Sequence, residues 1–291
     1  MKLVCYYRPD GIHYGAVKQD KVIDLTARLG GTYPTIVDFI AGQGQPIAKQ
    51  ILAYEEGDFA YESLVLAPVV PNPSKIICVG LNYYDHINEA NRQLGRADKG
   101  FENPMIFARW PESMTGHNRP ILRPKASHEF DFEAELLVVI GQDTGRYVPE
   151  ERALDYVFGY SCFNDGSVRD YQRHSRQITP GKNFEKTGPS GPWLVTADEI
   201  PDPDNLDIET RLNGQVMQKA NTRDMIHSVR QIISYVTRWT PFRPGDLIAT
   251  GTMGGVGFAR QPQVFMKPGD VVEVTIEKIG TLRNHVEDER L

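Results

Sequence analysis

Three carboxylates, Asp131, Glu133 and Glu135, occupy alternate positions immediately before the apolar run Leu136-Leu137-Val138-Val139-Ile140. On an extended strand, residues two apart share a face, so Glu133 and Glu135 project together about 7 Å apart along the backbone. Two anions that close repel unless a cation neutralises them. An isolated Glu-x-Glu belongs on a solvated face. Here the next residues are apolar on both faces, so the strand enters a core and takes its acids with it. A divalent cation with a preference for hard oxygen would relieve the repulsion, and it calls for one more acid. Asp165, closing the strand-like stretch from Gly159, is the natural candidate. If a helical turn follows it, Asp165, Arg169 and Gln172 fall at i, i+4 and i+7 on one face.

Other motifs narrow the chemistry by exclusion. The segment "TGTMGGVG" (Thr250 to Gly257) is glycine-rich and follows a strand, yet it lacks the Gly-Lys-Ser/Thr of a phosphate loop. The residues after it are not helical, so no helix N-terminus is available for a phosphate. No nucleotide or organic cofactor is expected; a tight turn that lets main-chain amides and Thr252 approach a small ligand is. There is no Gly-x-Ser-x-Gly and no His-Glu-x-x-His. Cys5, Cys78 and Cys162 are odd in number, widely spaced and set among apolar residues, which reads as buried, inert thiols. A net charge of -6 and a pI of about 5.7 argue against a nucleic-acid partner. No apolar run nears the roughly 18 residues of a membrane span, and Arg8 and Asp10 interrupt the N-terminus too early for a signal peptide, so a cytoplasmic location is expected.

The elements that must position these groups are many strands and few short helices, not a regular βαβα alternation. The 291 residues, 40% hydrophobic, can bury a substantial core. Residues 1–70 read as a small N-terminal domain: strands "KLVCYY" and a hairpin around Gln19-Asp20, then short helices closed by Gly42 and over Ile47 to Tyr54. Pro68, Pro71 and Pro73 mark a boundary near residue 70, and 71–291 form the larger domain. Within it, "KIICVG" and "MIFAR" read as strands. The polar stretch from Leu81 to Gly100 reads as a loop with one helical turn over Asp85 to Asn91. A short helix is expected after Pro149. Asn213-Gly214 signals a type I′ hairpin. Ser228 caps a helix with the apolar stripe Val229, Ile232, Ile233, Val236 and Trp239. The class is mostly β, α+β.

Several segments in order, "KIICVGLNYYDHINEA", "DFEAELLVVIG", "GYSCFNDGSVRDYQ", "GKNF", "LNGQVMQ", "IATGTMGGVGF" and "KPGDVVEVTIEKIGTLRN", closely resemble the fumarylacetoacetate hydrolase family. The resemblance covers about residue 71 to the C-terminus. It implies a mixed β-roll or barrel-like catalytic domain, a homodimer, and Mg2+ or Mn2+ on Glu133, Glu135 and Asp165. His86 and Glu89 match the family's His-x-x-Glu dyad and Lys182 its active-site lysine. Arg169, Gln172 and Thr252 match substrate-contacting positions. Arg109 stands where many relatives have lysine, Trp110 where they have proline, and Met253 replaces the proline of the usual "TGTP". A planar guanidinium at 109 would prefer a carboxylate, so Arg109 is expected to bind substrate.

The implied substrate is a small oxo-acid, an acylpyruvate-like 1,3-diketo acid whose C–C bond is cleaved by hydrolysis. His86, oriented by Glu89, would activate water, Lys182 would steady the oxyanion, and the metal would hold the leaving enolate. The same site would serve a 2-oxo-diacid decarboxylase or a keto–enol isomerase. A non-catalytic oxo-acid binder is the alternative from another class, and the complete set of acids, dyad and lysine argues against it.

Overall fold

The computed structural model describes residues 1–95, 100 and 102–290. Among these residues the frame is a mixed sheet of eleven strands. In order across it run Phe59–Ala60, Lys21–Asp24, Gly11–Lys18, Lys2–Arg8, Gly188–Thr196, Val157–Asn164, Ala134–Ile140, Leu247–Ala249, Ile76–Gly80 and Met105–Arg109. Met114–Gly116 pairs alongside Gly188–Thr196. The end strands do not meet, so the fold is the expected mixed α+β roll without a closed barrel. A second sheet of five strands, Gln215–Asn221, Asp207–Leu212, Val271–Ile276, Gly280–Asp288 and Ile121–Arg123, packs nearby, and Phe130–Asp131 pairs with Ser167–Val168.

Ala134–Ile140 lies inside the large sheet, antiparallel to both neighbours, and all seven of its residues are buried. Ala134, Leu136, Val138 and Ile140 join one core with Val229–Thr237; Leu137 and Val139 join another with Leu3, Ile23 and Phe39. Burial on both faces explains why the run is apolar without alternation. Each such aliphatic side chain contributes about 1.5–3 kcal/mol, which makes this strand a firm mount for what precedes it.

Lys2–Arg8 pairs antiparallel with Gly188–Thr196, so the first 70 residues extend the same sheet and share a core with Leu137, Val139 and Leu247. The hairpin around Gln19-Asp20 forms, and Thr35 caps Ile36–Ala41 through a reciprocal bond with Asp38. Asn213 and Gly214 both have positive φ, 51° and 80°, as a type I′ turn requires. Ser228 caps Val229–Thr237, but Trp239 lies beyond that helix and is half exposed, so the stripe ends at Val236. The segment after Pro149 is a 3-10 helix, Glu150–Tyr156. The three cysteines are free and buried. No described helix is long and apolar enough to cross a membrane.

The stretch read as a loop contains an eleven-residue helix, Tyr84–Leu94, ended by Gly95 in the left-handed region. Its inward residues include His86 and Ile87, one polar and one apolar, so the 3.6-residue apolar period that announces a helix is missing. Residues 96–99 of that stretch lie outside the described residues.

Candidate active site

Glu133, Glu135 and Asp165 are brought together: carboxylate oxygens of all three lie within 4.8 Å of one another, and all three side chains are buried. Glu135 stands on Ala134–Ile140, and Asp165 directly follows Val157–Asn164. Glu133 sits in the break between Phe130–Asp131 and Ala134, where the strand expected over 131–141 is interrupted. Its N–H donates to Asn164 Oδ1 (2.8 Å) and its carbonyl accepts from Asp165 N–H (2.8 Å), so two of the acids are tied through backbone.

The surrounding charges are nearly balanced. Arg169 Nη1 lies 2.7 Å from Glu133 Oε1, and Lys182 Nζ bridges Glu133 Oε2 (2.6 Å) and Asp165 Oδ2 (2.5 Å). Arg109 Nη1 donates to Asp165 Oδ1 at 2.5 Å. Asp131 stands outside the triad: it is wholly buried and accepts from Arg169 Nε (2.8 Å) and from the N–H groups of Gly257 (2.8 Å) and Phe258 (3.0 Å). Four buried carboxylates thus face three buried cations. Burial pushes Glu133 up, but Lys182 and Arg169 outweigh it and hold its carboxyl below the ordinary range. The surplus falls on Glu135, which burial, then the charges of Asp165 and Glu133, drive well above that range. Three hard oxygens with one unbalanced negative charge suit a divalent cation.

The glycine-rich segment does not face a nucleotide. It supplies backbone donors to the protein's own acids: Gly251 N–H to Glu135 Oε2 (2.8 Å), Gly255 N–H to both Glu89 oxygens (2.9 Å), and Gly257 N–H to Asp131 Oδ1. Gly251 (φ 96°) and Gly255 (φ 100°) need glycine twice over. A Cβ on Gly251 would lie 2.8 Å from Val79 O, and one on Gly255 would lie 2.3 Å from Met217 O.

His86 is 6% exposed, and its buried Nδ1 has no hydrogen-bond partner. Burial lowers its pKa to about 4; Glu133 works against that shift, while Arg169 and Lys182 add to it. The imidazole is therefore neutral at pH 7. The expected dyad is not closed: Glu89 binds Gly255 instead of orienting His86. Lys182 ends the short helix Thr179–Lys182, and its Nζ reaches Glu133 and Asp165. Gln172 Oε1 accepts from Arg169 Nη1 (3.0 Å) within the helical turn Arg169–Gln172; Asp165 is not on that turn, because the strand Ser167–Val168 intervenes, so the helical face expected for the three residues does not form.

Arg109 lies elsewhere than its expected role requires. Its side chain has no exposure, and each of its three nitrogens is bonded within the protein. The carboxylate that its planar fork meets is Asp165, not one from a substrate; Trp110, its neighbour, is exposed. Thr252 Oγ1 accepts from Gln218 Nε2 at 2.8 Å. Gln218 was not singled out from the sequence. Its Oε1 accepts from Ala134 N–H (3.1 Å), between the two glutamates, and its Nε2 also binds Met253 O (2.9 Å), which links the acid strand to the glycine-rich segment. Plain counting across the Asn213-Gly214 turn would place Gln218 opposite Glu209; a register shift between Thr210 and Arg211 sets it opposite Thr210 instead, whose Oγ1 donates to Gln218 Oε1 (2.8 Å), so the sequence carried no signal for it.

Residues 75–287 match the family model for the fumarylacetoacetate (FAA) hydrolase C-terminal domain. The chain is 37% identical to oxaloacetate tautomerase FAHD2A, mitochondrial, of Bos taurus, over 98% of this chain and 91% of that one. It is 40% identical to 2,4-didehydro-3-deoxy-L-rhamnonate hydrolase of Sphingomonas sp., over 95% of each. Its fold matches the crystal structure of maleylpyruvate hydrolase from Sphingobium sp. SYK-6 in complex with manganese (II) ion and pyruvate, with a TM-score of 0.81, 29% identity and full coverage of both chains. The relatives named here are hydrolases and a tautomerase, and the chain belongs to the fumarylacetoacetate hydrolase family of enzymes.

Proposed function

We propose that this enzyme moves a proton at the carbon beside the carbonyl of a small 2-oxo acid, a keto–enol isomerisation of an oxaloacetate-like substrate. The observation that supports it is His86: a buried, neutral imidazole whose Nδ1 has no partner, close enough to the acids to sense the charge of Glu133. That is the state a general base requires before it takes a proton. Mg2+ or Mn2+ held by Glu133, Glu135 and Asp165 would supply Lewis-acid polarisation of the 2-oxo group. Lys182 and Arg169 offset the negative charge that develops on the substrate oxygen and carboxylate. The helix Tyr84–Leu94 places His86 in the interior and shields it from water.

Hydrolytic cleavage of a C–C bond in an acylpyruvate-like acid is the second reading, supported by the 40% identity to the rhamnonate hydrolase. It needs a water molecule and an oriented base, and Glu89 is engaged by Gly255. Purified protein with Mg2+, given enol oxaloacetate and a panel of acylpyruvates, separates the reactions. Loss of enol absorbance without fragments is the expected result. Pyruvate with a carboxylic acid would establish hydrolysis, and CO2 release decarboxylation. No turnover with Mg2+ or Mn2+ would overturn the proposal.

A further inference from the structure

We propose that Arg109 sets the metal preference of this centre by restricting Asp165 to a single ligand oxygen; this rests on the reading that Glu133, Glu135 and Asp165 hold a divalent cation. The three acids share one pattern. Each has one oxygen fixed by a donor that the fold holds in place: Glu133 Oε1 by Arg169 Nη1 (2.7 Å), Glu135 Oε2 by Gly251 N–H (2.8 Å), and Asp165 Oδ1 by Arg109 Nη1 (2.5 Å). That leaves each acid one oxygen to turn toward a cation: Oε2, Oε1 and Oδ2. Two of these now accept from Lys182 Nζ, an ammonium on a flexible stem that can give way to an entering cation, whereas the Arg109 fork is held by bonds at every nitrogen and keeps Oδ1 turned toward itself.

The Arg109 restraint is the most elaborately built of the three. Its Nε donates to Ser113 Oγ (3.1 Å), its Nη1 also to Gly166 O (3.2 Å), and its Nη2 to Thr187 Oγ1 (2.8 Å). Gly188 makes room for it, since a Cβ there would lie 2.7 Å from Nη2. A lysine at this position could not fill that socket, because a point charge cannot engage all these acceptors in one plane.

The consequence is chemical selectivity. A small ion such as Mg2+ takes six oxygens at about 2.1 Å and is satisfied by three single-oxygen ligands plus water or substrate. Ca2+ takes roughly six to eight oxygens at longer distance, commonly with both oxygens of a carboxylate. Fixing Asp165 Oδ1 removes that second oxygen. Arg109 is thus a positioning residue that disfavours Ca2+.

The test is calorimetric titration of the full chain with Mn2+ and with Ca2+, for wild type, R109K, R109M and T187V. Wild type is expected to bind Mn2+ more tightly. R109K and R109M are expected to shift the Mn2+/Ca2+ affinity ratio toward Ca2+ by about 10-fold, within the range of outer-shell effects on metal affinity. T187V, which keeps Arg109 and the local volume, should shift it in the same direction by less, and serves if R109M does not fold. Wild type binding neither ion would overturn the acid-centre reading itself. Wild type binding Mn2+ while the variants leave the ratio unchanged, or weaken both ions equally, would overturn the role of Arg109 alone.

Discussion

The acid cluster and the helix Tyr84–Leu94 face each other with opposite designs. The acids stand on or beside strands buried on both faces, joined through backbone bonds between Glu133 and Asp165, and each acid has at least one oxygen held by a fixed donor. The helix is held by polar ties that include its middle and its last turn. Asn82 bonds to His227 and Thr250 before it, Glu89 meets Gly255, and Gln93 meets Ala259 O at 3.2 Å. His86, between these ties, keeps a buried nitrogen without a partner. The contrast teaches a division of labour. Groups that hold charge gain from being fixed, whereas a group that exchanges a proton would have to break any bond it already made on that atom.

The largest effect should come from breaking the fixed side. Glu133→Gln removes a ligand oxygen's charge and leaves Lys182 and Arg169 under-compensated. Mn2+ binding should be lost in calorimetry, and activity should fall beyond the roughly 10–100-fold typical of outer-shell partners. Near-normal turnover with unchanged metal demand would show that the fixed side holds no metal.

His86→Asn comes next. On the proposed reading, in which the helix supplies the base and the acids hold the ion, turnover should drop by about 10²–10⁴-fold while Mn2+ affinity stays the same. The pH profile sharpens this point. The His86 pKa is lowered to about 4, so the acid limb of kcat/KM should lie near pH 4 rather than near 6.5, and a bound dication would push it lower still. The sign for stability follows. Between pH 6.5 and about 4 the unfolded chain binds a proton that the folded His86 refuses, so stability falls as pH falls through that window. A limb near 6.5 that survives in the Asn variant would remove His86 from the reaction.

Glu89→Gln should have the smallest effect. A carboxamide oxygen still accepts from Gly255 N–H, and one weakened hydrogen bond corresponds to at most about 10-fold. KM should rise with kcat preserved if Glu89 merely fastens the helix. A fall in kcat equal to that of the His86 variant would show that Glu89 does orient the base, and the second region would then be as preorganised as the first.

Much of the fixed side was legible in the sequence because its signals are local. Acids at a spacing of two leading into an apolar run, an Asn-Gly hairpin and a Ser cap are read within a few residues. The helix was not legible, because its inner face mixes His86 with Ile87 and carries no apolar period. The partner of Arg109 was equally hidden. Its charge and shape suggested a carboxylate, but only the tertiary fold brings Asp165, 56 positions away, to it rather than a substrate. Gln218 was hidden for the same reason, lying 84 positions from Ala134.

The glycine-rich segment holds three carboxylates through main-chain N–H groups, at Gly251, Gly255 and Gly257. Bonds of that kind are indifferent to what side chains sit between them. The donors at Gly251, Gly255, Gly257 and Phe258 are main-chain atoms, so none of them depends on the chemistry of the side chains at Thr252, Met253 or Val256. A side-chain substitution in this segment reaches those donors only by displacing the backbone that carries them.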